Sequence, residues 1–422
     1  MVIGGGVAGI AAATALADDG IQVYLIEREP FIGGWAASFC CKSTDVCTKC
    51  SVCLVAQQLK EVSAHPRISI LTHSTVTGIT GSVGDFGVEV RQERPCIDPG
   101  RCVACGICAD VCPAQPNAIR PPSPEALPYT YVLDDALCLR FKGEECAVCR
   151  DKCPTQAITF DREPKKEEFS VAAVIVATGF DVFDAKQVGG LGYGRYPGVL
   201  TGLDVERIFN REGCLTLSTN GESPHSVAFV QCVGSRSEQH GYCSQVCCKY
   251  AMRFALLIQH QDPSAEVTIF YMDLQHAGKG FAEFYEQCQE KIRFIRGIPV
   301  EVLQAPTGQL EVRFENISKS KVERKLFDAV VLSVGLVPRT DCWDVAAHLG
   351  VNLNPYGFFD TLSGYSSNET HVEGIFVAGA CQGPRDIPDS MAHGIAAAEK
   401  AMEVLKRCER TRLSFSAIAG EA

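Results

Sequence analysis

Val2-Ile3-Gly4-Gly5-Gly6-Val7-Ala8-Gly9-Ile10 opens the chain, an Ala-rich run follows, and Val23-Tyr24-Leu25-Ile26-Glu27 completes the segment. It reads as strand, glycine turn, helix and second strand. Gly4, Gly6 and Gly9 fill the G-x-G-x-x-G frame, which supplies a tight turn, a backbone bare enough for a pyrophosphate, and close helix–strand packing. Glu27 ends the second strand, where a carboxylate can bind a ribose hydroxyl. The stretch predicts a dinucleotide-binding fold. Beyond it comes Gly33-Gly34-Trp35, where the Gly pair lets the backbone run close to a bound dinucleotide.

Composition narrows the setting. The 422 residues are long enough for two or three domains, and 46% hydrophobic with 21% charged is ordinary globular usage. A formal charge of -11 argues against nucleic acid or an anionic membrane surface as partner. No apolar run approaches a membrane span. The N-terminus is expected to be the first strand itself, without a signal peptide. Because Met1-Val2-Ile3 is so short a strand, the gene product is expected to begin a few residues earlier. A cytoplasmic location follows from these expectations. The 23 cysteines, bunched at C-x-x-C spacings, then read as metal-ligating thiolates in a reducing compartment.

Three bunches stand out. Cys40, Cys41, Cys47, Cys50 and Cys53 follow the Gly pair and suggest an iron–sulfur cluster, with a structural zinc site or a redox dithiol as alternatives; the spacing does not choose four ligands from five. Cys102-x2-Cys105-x2-Cys108-x3-Cys112-Pro113 is the bacterial ferredoxin run, and Cys138-x7-Cys146-x2-Cys149-x3-Cys153-Pro154 is its partner. In such pairs the fourth cysteine of each run ligates the other cluster. One [4Fe-4S] cluster therefore takes Cys102, Cys105, Cys108 and Cys153, and the second takes Cys138, Cys146, Cys149 and Cys112. Cys96 is spare. The third bunch is Cys232, Cys243, Cys247 and Cys248, around the turn after Ser226-Val227-Ala228-Phe229-Val230-Gln231. A nicotinamide dinucleotide would need a G-x-G-x-x-G turn there, and Cys232-Val233-Gly234-Ser235-Arg236 does not supply one. Four thiols stand in its place, able to hold a further cluster or simply to pack as small buried residues.

The rest of the chain supplies the frame. Short antiparallel strands are expected over Ile68 to Val90. The buried strand ending in Ala177-Thr178-Gly179 marks the crossing between the two folds, and Ala329 to Gly335 marks the return. A last strand reaches Gly379-Ala380, and Asp389-Ser390-Met391-Ala392 opens a helix whose N-terminus can face a flavin. A frayed tail is expected from Lys406. The expected division is residues 1–95 for the first part of the FAD-binding fold, 96–160 for an inserted ferredoxin domain, 161–225 for the second part, 226–340 for a second dinucleotide-type fold with a modified turn, and 341–422 for the C-terminal part.

Val230-Gln231-Cys232-Val233-Gly234-Ser235-Arg236, Tyr242-Cys243-Ser244-Gln245-Val246-Cys247-Cys248, Gly278-Lys279-Gly280-Phe281 and Val377-Ala378-Gly379-Ala380-Cys381-Gln382-Gly383-Pro384 with Ile387-Pro388-Asp389-Ser390 carry a resemblance that spans nearly the whole chain. It resembles the heterodisulfide reductase A subunits and their relatives, including the A-type subunits of quinone-interacting membrane-bound oxidoreductase complexes. The resemblance implies an α/β, thioredoxin-reductase-like flavoprotein with FAD, an inserted 2[4Fe-4S] ferredoxin domain, and a non-standard cubane on Cys232, Cys243, Cys247 and Cys248. It also implies an oxidoreductase subunit working with other subunits of such a complex, and with ferredoxin, a hydrogenase or an NADH-oxidising subunit. The large archaeal members carry an additional N-terminal domain and a C-terminal ferredoxin domain that this sequence does not contain. Electron relay is therefore the expectation, with bifurcation or confurcation as its extension. Two other classes compete: a self-contained NAD(P)H-dependent flavin oxidoreductase like the small subunit of glutamate synthase, and a non-enzymatic cluster scaffold.

Overall fold

β1 (Val2–Ile3) passes through the glycines into α1 (Val7–Asp18) and returns as β2 (Val23–Ile26). This computed structural model describes all residues except 123–124, 219–220, 276–279, 365 and 420–422. After the first cysteine bunch come α2 (Cys53–Ala64) and β3 (Ile68–Leu71). β3 is a parallel neighbour of β2 and not part of an antiparallel meander, because Ile68 and Ile70 pack with α1 and α2 onto the first core. β4 (Ser74–Ser82) and β5 (Asp85–Gln92) do form an antiparallel hairpin.

A small unit follows: α3 (Ile107–Asp110), β6 (Ile119–Arg120), β7 (Val132–Leu133) and α4 (Val148–Lys152), with its own core of Cys96, Ile97, Ile119, Ala157 and Ile158. β8 (Lys165–Val171) then pairs with β5 from Phe86↔Val171 to Gln92↔Lys165, so the chain leaves and re-enters at adjacent points. Sequence reading missed this charged strand; five of its seven residues are Lys, Glu or Ser, and sheet pairing sets its conformation.

β9 (Val174–Val176) lies beside β1. β10 (Asp181–Val182) then leads to β11 (Val199–Thr201) and α5 (Gly202–Glu212), the latter opened by a reciprocal Thr201–Asp204 cap. The second fold continues with β12 (Ser226–Val233), α6 (Cys247–Gln261), β13 (Glu266–Tyr271), α7 (Phe281–Gln289) and β14 (Arg293–Gln304). It ends with β15 (Leu310–Asn316), β16 (Lys321–Phe327), β17 (Ala329–Val334) and β18 (Leu336–Val337). The chain returns to the first fold with α8 (Cys342–Leu349), β19 (Ile375–Val377) and α9 (Ile387–Ala419). The tail expected from Lys406 is thus helical as far as Ala419. Gly278 and Lys279 of the sequence motif lie outside the described residues.

The first sheet has the order β19-β9-β1-β2-β3, and the second β11-β17-β12-β13-β14-β15-β16. Strand alternation splits the first sheet's side chains between two layers. Val2, Leu25, Ile175 and Phe376 face α1 and α9, whereas Ile3, Ile26, Val174 and Val176 face the β4-β5-β8 sheet and α8. β11 pairs with β17, so residues from Val199 onward join the second sheet, although the expected division carries the first fold to 225. β10 and β18 pair antiparallel where the chain crosses between the two sheets.

Candidate functional site

A cavity of about 590 Å³ opens where these crossings meet. Gly4, Gly6, Glu27, Gly33, Gly34, Trp35, Ala177, Thr178, Gly179, Ala380 and Ser390 are on its wall; Gly9, Gly379, Met391 and Ala392 are not. The glycines divide by task. A Cβ on Gly9 would lie 1.9 Å from the Gly4 carbonyl oxygen, so that residue lets α1 press on the turn. A Cβ on Gly6 would meet nothing within 4 Å. Gly6 caps α1 without any side-chain hydrogen bond, and no acidic residue stands in the first turn. The unpaired amides and positive end of α1 therefore face the cavity, which fits a pyrophosphate.

Glu27 is 7% exposed and accepts from Gly5 N (2.7 Å) and Glu29 N (2.8 Å). Burial raises its pKa against the lowering by those two amides. Each oxygen keeps a further lone pair, as a ribose acceptor needs. Trp35 Nε1 donates to Phe180 O (3.0 Å), tying the Gly pair to the crossing. His393 Nδ1 accepts from Gly379 N (2.9 Å), and burial holds this imidazole down to about 4, so it stays neutral and fixes the turn after β19.

Several wall residues carried no sequence signal. Asp341 accepts from Arg28 (2.6 Å) and from Arg339 (2.8 Å), and Arg339 also reaches Thr178 O (3.2 Å). Lys42 and Glu206 form a buried pair at 2.5 Å, and Lys249 pairs with Asp386 at 3.1 Å. Each of these two pairs joins segments far apart in the chain, which no local pattern can announce.

The second turn is bent to an unusual path. Cys232, Arg236 and Gln245 all have positive φ, at 61°, 56° and 61°, a region non-glycine residues seldom occupy. Cys247 and Cys248 form the first turn of α6, which therefore begins two residues before the expected Lys249. Burial pushes the Cys247 thiol well up, and Cys248, Cys232 and Cys243 beside it add to the effect; Cys248 rises to about 11. Burial likewise raises the Cys232 thiol, so these buried thiols resist ionising unless cations join them. α6 also walls the large cavity through Lys249, Tyr250 and Arg253.

In the small unit, Cys112, Cys138, Cys146 and Cys149 line one small apolar cavity. Cys108 rises to about 11 by burial, with Cys102, Cys149 and Cys105 nearby, and Cys153 packs on the same core. Spare Cys96 is buried, its thiol pushed up to about 12. In the first bunch the five cysteines part company: Cys40 packs into the core of the second fold and rises to about 12, Cys50 is on the large cavity's wall, and Cys41, Cys47 and Cys53 are exposed. Among the described residues no three His, Cys, Asp or Glu converge on one point fit for a single metal ion.

Two nucleotide-binding sheets with a glycine-turn cavity between them define a flavoprotein oxidoreductase. The chain matches the model of the FAD dependent oxidoreductase family over residues 1–102 and that of the pyridine nucleotide-disulphide oxidoreductase family over residues 140–403. It belongs to the pyridine nucleotide-disulphide oxidoreductase family. The resemblance expected from the motifs is borne out. The chain is 39% identical over 421 residues to the A subunit of the H(2):CoB-CoM heterodisulfide,ferredoxin reductase of Methanothermobacter marburgensis, covering 95% of this chain and 63% of that protein. It is 41% identical over 426 residues to an iron-sulfur A subunit of the CoB--CoM heterodisulfide reductase of Methanopyrus kandleri, covering 96% and 64%. The chain thus spans less than two thirds of the length of these relatives. In fold it is similar to Lactococcus lactis thioredoxin reductase, with a TM-score of 0.53 at 17% identity, covering 96% of this chain and 98% of that one. No helix among the described residues is long and apolar enough to cross a membrane.

Proposed function

We propose that the chain is an electron-transfer flavoprotein subunit of a heterodisulfide-reductase-like complex, with FAD in the large cavity and [4Fe-4S] clusters at the cysteine bunches. When bound, FAD takes up electrons in pairs and each cubane carries one, so together they form a two-to-one-electron junction. One observation carries the reading: α6 holds Cys247 and Cys248 in its first turn and walls the flavin cavity with its next residues.

The chain's own residues divide the work. The α1 amides and Gly6 receive the pyrophosphate, Glu27 accepts from the ribose, and the turn at Gly379, locked by His393, sets backbone against the ring. In the small unit, read as an inserted ferredoxin domain, Cys112 joins Cys138, Cys146 and Cys149, and Cys153 joins Cys102, Cys105 and Cys108. Their shared cavity and packing support this crossing. At the second turn the ligands are Cys232, Cys243, Cys247 and Cys248. In the first bunch Cys41, Cys47, Cys50 and Cys53 are the ligand candidates, since Cys40 is turned into a core. The relatives' names speak of a heterodisulfide,ferredoxin reductase and of an iron-sulfur subunit, which supports partner subunits and ferredoxin as exchange partners. Twenty-three cysteines, all free, suit a reducing cytoplasm.

The test is anaerobic isolation with iron and flavin counted per chain. One FAD and iron of about 12 or more, at four per cubane, are expected. NADH and NADPH should leave the flavin oxidised, because the second turn lacks the G-x-G-x-x-G frame that would receive their pyrophosphate. Iron near about 8 would remove every cluster outside the small unit, and rapid NAD(P)H oxidation would overturn the relay.

A further inference from the structure

Gln231 is 8% exposed, yet neither its side-chain oxygen nor its nitrogen has a hydrogen-bond partner. A carboxamide buried in this state forfeits its hydration without replacement, so a polar group missing from the protein itself is the natural partner. Three observations say where that partner stands. Gln231 directly precedes Cys232 in the bulge between Val230 and Val233, at the end of a strand whose Val227 and Phe229 pack against α6. β12, α6 and β13 form a crossover between parallel strands, so the C-terminal end of β12 and the first turn of α6, where Cys247 and Cys248 stand, lie at the same end of the sheet. Cys247 Sγ lies 3.9 Å from Val334 O, and Val334 pairs with Val233, two residues beyond Gln231. Gln231 is not on the wall of the flavin cavity. Ser333 of β17 lies between Leu332 and Val334, which pair with Val230 and Val233, and is fully buried.

We propose that Gln231 donates its side-chain N–H to a sulfur of the cluster held by Cys232, Cys243, Cys247 and Cys248, and thereby raises that cluster's reduction potential. Sulfur gains negative charge when a cluster is reduced, so a fixed N–H favours the reduced form, and a neutral amide does this without adding a buried charge. Gln231 is a positioning and tuning residue; it ligates nothing. The inference rests on the cluster assignment proposed above.

The test compares the full chain, isolated anaerobically, with Gln231→Met, which keeps the volume and removes the donor. Iron and flavin are counted, and the reduced clusters are followed by potentiometric titration and by pulsed EPR after exchange into D2O. The wild type should show an exchangeable deuteron coupling on the cluster outside the small unit. Gln231→Met should lose that coupling and shift the cluster's midpoint to more negative potential, with the small unit's clusters unmoved. Unchanged coupling and midpoint at full iron content would overturn the proposal and indicate that Gln231 meets only buried water. If the wild type holds no cluster there, the assignment beneath fails and the inference goes with it. Should Gln231→Met lose iron, Gln231→Glu decides: its acid donates when protonated and repels when ionised, so its midpoint must fall with pH more steeply than the wild type's. Equal slopes would overturn the proposal.

Discussion

Replacing Lys42 by Met should unlatch the first cysteine bunch from the second fold. Lys42 is 3% exposed and Glu206 6%. The ammonium lies 2.5 Å from Glu206 Oε1, donates to Cys40 O at 3.0 Å and sits 4.8 Å above the Phe254 ring. Glu206 Oε2 in turn accepts from Cys40 N at 2.8 Å. Without the ammonium the carboxylate remains buried with one N–H for company. Breaking a buried pair from one side costs about 3–5 kcal/mol. Lys42→Met with Glu206→Gln removes both charges and keeps an acceptor for Cys40 N, so it should recover most of the loss. The assay is denaturant unfolding of the flavin-loaded chain, with hydrogen exchange resolved over residues 39–42 and 202–212, since a multidomain cofactor protein need not unfold in one step. If Lys42→Met alone stays within about 0.5 kcal/mol of wild type, as a surface substitution would, water reaches the pair and the reasoning fails.

Two glycine variants should separate fold from cofactor. Gly9→Ala drives a methyl into the Gly4 carbonyl and should destabilise even the apoprotein by about 1–3 kcal/mol, read by thermal unfolding. Gly6→Ala has φ of -79° and open space, so it should melt like wild type yet bind FAD more weakly, read from the flavin absorbance of the isolated protein. His393 supplies a pH dependence. Burial lowers its pKa from 6.5 to about 4, so the unfolded chain takes up the proton first and stability should fall as pH drops from about 6.5 toward 4. His393→Gln should flatten that part of the profile of denaturant midpoint against pH; parallel profiles would refute it.

The folds were legible because their signals are local. Gly9 answers to the Gly4 carbonyl within one turn and Gly4 to its own φ of 109°, and the apolar runs at Val23, Ala173 and Ala329 are buried strands, so short-range pattern announces them. β8 was not legible: its alternation is of charged and polar residues, and only pairing with β5 makes it a strand. β3 shows the same limit from the other side, since an alternating apolar run does not say whether its neighbour is parallel. In the site, eleven of the fifteen residues expected to touch the cofactor are on the cavity wall. The acids and bases around them, Arg28, Lys42, Glu206, Arg339 and Asp341, had no pattern to betray them.

By itself the sequence determined the chemistry on offer: a glycine turn for a pyrophosphate, an acid for a ribose, and thiols at cluster spacing. These depend on residue type and on separations of a few positions, which the covalent chain sets before it folds. Tertiary structure alone decided which groups meet. It turned Cys40 inward and left Cys50 on the cavity wall, brought Cys112 from one run beside Cys138, Cys146 and Cys149 of the other, and made α6 both a carrier of Cys247 and Cys248 and a wall of the large cavity. Those outcomes follow from burial and from pairing between distant segments, and the opening Gly4-to-Glu27 stretch lines the large cavity only where they converge.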